Sequence, residues 1–200
     1  FFFFKQTTAY EIYQCDWSSD VCSSDLDKVA APPQLDTVGR HQLLTAAMAR
    51  LSRASSVEGI VVILRDCART IGGADGIAVI RREGDQVAYV AEDALGALWT
   101  GQRFPIESCI SGLAILQAHP IHIPDIYDDP RVPIDAYRPT FVRSMAMYPI
   151  GLMGPSMAMG AYWSQPGPID PAASAMLASL ARYAGVTLGR VTGGKGADPA

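Results

Sequence analysis

The chain has 200 residues, 49% of them hydrophobic, which is enough for one buried core. Of its 20 acidic and 16 basic residues, residues 1–26 hold four acids and one lysine. The other 16 acids and 15 bases leave a near-neutral body without the basic footprint of a nucleic-acid binder, and no apolar run approaches the roughly eighteen residues of a membrane span.

Residues 1–26 hold Cys15 and Cys22 within CDWSSDVCSSDL. A secretory signal starts with positive charge and continues into an unbroken apolar run, whereas here four phenylalanines precede Lys5 and the rest is polar. A zinc site pairs closely spaced cysteines with a second ligand pair; these two are farther apart, and the first histidine is His41. KQTTAYEI and CDWSSDVCSSDL resemble a translated DNA-sequencing adapter, with Tyr13 and Gln14 at the variable index and Thr7 as the departure. The missing initiating Met agrees. Residues 1–26 are therefore expected to be extraneous to the fold, and Cys67 and Cys109, the remaining cysteines, suit a reducing cytoplasm.

Residues 27–36, with Pro32-Pro33, form a lead-in. Leu44, Ala47, Met48 and Leu51 recur at helical spacing and predict a helix over 37–53. Val57, Ile60, Val61, Leu64, Ala68 and Ile71 predict a second, with Ser55 or Ser56 as N-cap and Gly72-Gly73 as stop. The period then changes: strands are expected at 76–82 and 86–92, joined around Glu83-Gly84-Asp85. Ile77 to Ile80 are apolar on both faces, as in a strand covered on both sides. A short helix is expected at 111–118 and a brief strand at 121–126. A proline-rich connection follows, in which Asp129-Pro130 reads as N-cap and first helical residue. Strands at 143–154 and 156–165 turn at Gly154-Pro155. Asp170-Pro171 opens a last helix to 191, and 192–200 form a tail. The fold class is α+β, with a mostly antiparallel sheet.

FPIESCISGLAILQAHPIHIPDI (104–126), DPRVPIDAYRPTFVRSMAMYPI (129–150) and GAYW (160–163) resemble GAF domains, particularly those at the input end of bacterial sensor histidine kinases. The resemblance covers residues 37–191. It implies a five- or six-stranded antiparallel sheet, with the first, second and last helices on one face. On the other face the short helix and long loop would enclose a small-molecule pocket. It also implies a sensory role, with dimerisation and a signal passed to a histidine kinase or other output domain. The NKFDE pattern of cyclic-nucleotide relatives is absent, and Ile110 after Cys109 breaks the Cys-His pair of bilin-binding relatives. Ser111 stands where free-methionine-sulfoxide reductases of this fold have a cysteine. The expectation is thus a domain that is not an enzyme, with no cofactor identified. The alternatives are such a reductase or a ligand-free dimerisation module.

The candidate ligand-binding residues are Cys109, Ser111, Gly112, Tyr127, Arg138, Arg143 and Trp163. Cys109, near a helix start, reads either as a reactive thiol or as a small packing residue. Free amides at the start of helix 111–118, with Arg131, Arg138 or Arg143, suit an anionic or strongly polar ligand. The same arginines would equally pin the loop through salt bridges. Tyr127, Tyr137 and Trp163 are candidate aromatic walls. His119 and His122 are three apart, which on a strand places them on opposite faces and argues against a shared metal. The helices at 37–53 and 170–191, the latter with Ala184 and Gly189, are the expected contact of a parallel homodimer.

Overall fold

The computed structural model describes residues 35–152 and 154–193; the adapter-like segment, most of the lead-in and the tail beyond 193 lie outside the described residues. Helix α1, Thr37–Arg53, begins where the Asp36 carboxylate accepts from the Gly39 N–H at 2.8 Å. Helix α2, Val57–Gly72, begins where Ser56 Oγ accepts from the Gly59 N–H at 3.0 Å, and it ends at Gly73, whose φ of 57° favours a residue without Cβ. The strands are β1 Gly76–Glu83, β2 Gln86–Ala94, β3 Arg103–Pro105, β4 Ile121–Ile123, β5 Ser144–Ile150 and β6 Met157–Trp163. They form one sheet, all neighbours antiparallel, in the order β3-β2-β1-β6-β5-β4.

Alternation along these strands builds two cores. Ile77, Val79, Tyr148, Met159 and Ala161 pack under α1, α2 and α5 (Pro171–Gly193). Ala78, Ile80, Met145, Met147 and Tyr162 face the other way, beneath α3 (Ile110–Gln117) and the loop carrying the four-residue α4 (Ile134–Tyr137). Strand β1 lies inside the sheet, with Ile77 to Ile80 completely buried.

Several boundaries differ from the sequence reading. No helix begins at Pro130: the Asp129 carboxylate instead accepts from the N–H and guanidinium of Arg131, closing a turn. Strands β5 and β6 are shorter than expected, because their connection rests on α5. A Cβ at Gly185 would stand 2.8 Å from the Gly151 nitrogen, so that contact needs glycine. Ala184, Leu180 and Leu188 are buried in the domain's own core, which corrects the expectation that Ala184 serves a dimer contact. Among the described residues, no helix is long and apolar enough to cross a membrane.

Candidate functional site: an aromatic cavity on the open face of the sheet

The core on the sheet face away from the three long helices is richer in aromatic side chains than the core beneath those helices. Tyr89, on β2, shares this face with Val87, two residues away. Its neighbours come from separate segments: Trp99 from the β2–β3 loop, Phe104 from β3 and Tyr137 from α4. Tyr89 meets Trp99 and Phe104 edge to face, with ring centres 5.4 and 5.6 Å apart. Trp99 in turn meets Tyr137 at 4.8 Å. Together with Ser108, Cys109, Pro133 and Ala136 these rings line a cavity of about 180 Å³.

Backbone and side-chain contacts hold the walls. The Glu92 carboxylate accepts from the N–H groups of Leu98, Trp99 and Thr100, each at 2.9 Å, which fixes the loop bearing Trp99. Burial raises the Glu92 carboxyl, but those N–H groups outweigh it and hold the group below the ordinary carboxylate range. The Trp99 indole N–H donates to the Ala136 carbonyl at 3.3 Å, joining this loop to α4.

Below the cavity lies a layer of buried hydroxyls. Ser111 Oγ is 3.2 Å from the Tyr89 hydroxyl and 3.3 Å from Cys109 Sγ. The Cys109 thiol also donates to the Pro105 carbonyl at 3.6 Å. The Tyr162 hydroxyl, fully buried, approaches that of Tyr89 without a hydrogen bond of good geometry. Burial pushes the phenols of Tyr89, Tyr137 and Tyr162 upward, so all three are neutral at physiological pH. Among the described residues, no charged side chain lines the cavity.

The expected site residues fall into separate groups. Cys109 lines the cavity and Ser111 supports its floor. Gly112 has a packing role: a Cβ there would overlap the Ile106 carbonyl, so glycine lets α3 approach the preceding turn. Tyr127 and Arg143 meet at the surface, where the guanidinium lies 5.1 Å from the ring centre and pairs with Asp125 at 3.0 Å. Arg138 is exposed and pairs with Asp135, and Arg131 with Asp129. All three arginines thus make salt bridges, and none of them lines the aromatic cavity. Trp163 is corrected too: on β6 it faces the helix-covered side, and its indole donates to the Gly73 carbonyl at 3.0 Å, while its neighbour Tyr162 faces the cavity side.

Tyr89, Trp99, Phe104, Ser108, Pro133 and Ala136 escaped the sequence reading. The parity of β2 was a usable signal for Tyr89; Trp99 sits in an aperiodic loop that offers none. Among the described residues, no group of three or more His, Cys, Asp or Glu is placed to hold a metal ion.

No protein-family model matches the chain, and no curated protein is similar to it in sequence. Its structure is similar to a free methionine-R-sulfoxide reductase from Neisseria meningitidis in complex with its substrate, with a TM-score of 0.65 and 14% identity over 79% of this chain and 93% of that one. It is similar to the GAF domain of an Acinetobacter phosphoenolpyruvate-protein phosphotransferase, with a TM-score of 0.62 and 13% identity over 78% and 98% of the two chains. It is also similar to the chromophore-binding domain of a bacteriophytochrome from R. palustris, with a TM-score of 0.65 and 16% identity over 80% and 63%. The protein has a GAF-like α+β fold. The expectation that it is not an enzyme is overturned by the first of these likenesses, because a reductase is built on the same fold.

Proposed function

We propose that residues 37–191 form a sensory domain that binds a small molecule in the aromatic cavity and passes its occupancy to a histidine kinase or other signalling output. Residues 27–36 serve as linker, 192–200 as a tail, and 1–26 as an adapter-derived addition. The observation that carries the reading is the cavity itself: four aromatic side chains from separate segments converge on a concave, mostly apolar space that opens to the surface at Ser108, the character of a small-molecule site. The two structural neighbours drawn from a phosphotransferase and a bacteriophytochrome support a signalling setting. Cys67 and Cys109, free thiols among the described residues, suit the cytoplasm. Val38, Val62 and Val186 are exposed on α1, α2 and α5 and offer apolar surface for a second copy of the chain.

Native mass spectrometry of the purified protein tests the reading. A co-purified small molecule in the unmodified protein, lost when Ala136→Phe fills the cavity, is the expected result. An unoccupied protein that also takes up nothing from a mixed small-molecule library would contradict it.

A second reading has one observation in its favour. Cys109 brings a thiol to the cavity, while Cys67 lies in the core on the other side of the sheet. In this reading the Cys109 sulfur takes the oxygen of free methionine sulfoxide, giving methionine and a sulfenic acid that an added dithiol reduces, with release of water. Methionine formation with dithiothreitol, abolished by Cys109→Ala, tests it.

A further inference from the structure

We propose that the cavity selects a small, neutral molecule built on a single aromatic ring and carrying one hydrogen-bonding group, with a phenol as the type. The proposal rests on the reading of this cavity as a ligand site and names the chemistry of its occupant.

Size is the first argument. A dry apolar protein cavity of about 150 Å³ holds benzene. The present cavity, about 180 Å³, therefore admits one ring with a small substituent. It is below the several hundred Å³ of sites for drug-sized ligands. Multi-ring chromophores and nucleotides exceed it.

Charge is the second. Among the described residues no charged side chain lines the cavity, and the nearby Glu92 carboxylate is already occupied by three backbone N–H groups. A charged guest would lose its hydration without gaining an ionic partner. Shape is the third: Tyr89, Trp99, Phe104 and Tyr137 already meet one another edge to face, and a flat guest extends that arrangement.

The single polar group follows from Ser108. Its side chain is exposed at the mouth of the cavity and makes no hydrogen bond to another described residue, whereas Cys109 is already engaged with Pro105 and Ser111. One hydroxyl on the guest therefore finds one free partner. An outer cleft of about 430 Å³ shares Trp99, Phe104 and Ala136 with the cavity. The exposed edge at Ser108 gives a ring its way in.

Calorimetric titration of the full chain with phenol, toluene, benzoate and benzylammonium tests the proposal. Phenol is expected to bind saturably at one site. Toluene, lacking the hydroxyl, should bind about fivefold more weakly, and Ser108→Ala should remove that difference. Benzoate and benzylammonium should bind at least about 100-fold more weakly than phenol. Ala136→Phe should abolish phenol binding with a cooperative thermal transition retained. If that variant does not fold, Ala136→Leu should still weaken phenol binding about tenfold by reducing the space. A charged ring that binds as well as phenol, and is displaced by filling the cavity, overturns the ligand class while leaving the cavity as a site. Phenol binding that survives both Ala136 substitutions overturns the placement. Absence of binding by all four rings overturns the proposal, and a co-purified molecule lost in Ala136→Phe would then show that the site itself stands.

Discussion

The two faces of the sheet are made from the same strands and have opposite characters. On the helix side, Leu64, Ile71, Leu177 and Leu180 are fully buried, and the three long helices close over them. On the other side, four buried rings join the aliphatic chains, loops and short helices take the place of long ones, and a cavity remains. Aliphatic side chains on regular helices interdigitate to crystal-like density. Rings borne on loops meet in fixed edge-to-face geometry and leave space between them. The first face supplies stability, and the second carries the cavity proposed here as the ligand site.

Substitutions on the two faces sharpen this contrast, and the largest effect belongs to the helix side. Leu64→Ala is expected to cost about 3 kcal/mol, lowering the thermal midpoint by about 6–12 °C. Phe104, half-buried and already beside a void, should cost about half as much when changed to Ala. Equal losses in calorimetric unfolding would erase the distinction between the faces.

An intermediate effect is expected at Glu92. Its folded-state pKa is depressed, so the stability it contributes is fully present above the ordinary glutamate value and is lost as pH falls through the folded value. Glu92→Gln should cost about 1–2 kcal/mol near neutral pH, a figure reduced for the group's partial exposure. The loss should begin to shrink as pH falls below about 4.3, where the unfolded chain's carboxyl takes up its proton, and should disappear below the lower folded value. Midpoints measured from pH 3 to 7 check this; a constant difference would mean that charge plays no part in holding the Trp99 loop.

The smallest effect is expected at the exposed arginines. Arg138→Ala should change stability by no more than about 0.5 kcal/mol, since the pair with Asp135 is solvated. Arg143→Ala should cost about 1 kcal/mol, because both an ion pair and ring contact with Tyr127 are lost. Neither should alter ligand affinity. A large affinity loss at either position would move the site toward the surface cluster and break the assignment to the aromatic face.

The helix face was legible in the sequence because its signals are periodic. The stripe from Val57 to Ile71 marks α2, and Asp36, Ser56 and Asp170 sit where helices begin. The cavity was far less legible. Its walls come from a strand, an aperiodic loop, a three-residue edge strand and the turns around α3 and α4, and only folding brings them together. Trp163 and Tyr162 show how narrow the margin was: one position along β6 exchanges the helix face for the cavity face. Asp129-Pro130 misled for a different reason. A side chain that caps a helix also closes a turn, and in this loop Asp129 closes onto Arg131.

The most direct measurement is a residue-resolved amide NMR titration of the protein with phenol. Shifts concentrated at Tyr89, Trp99, Phe104, Cys109 and Ala136, with Ile63, Leu64 and Leu177 unmoved, are the predicted result. Largest shifts at the cleft between α1 and α2, around Arg53 and Gly59, would contradict the assignment of ligand binding to the aromatic face.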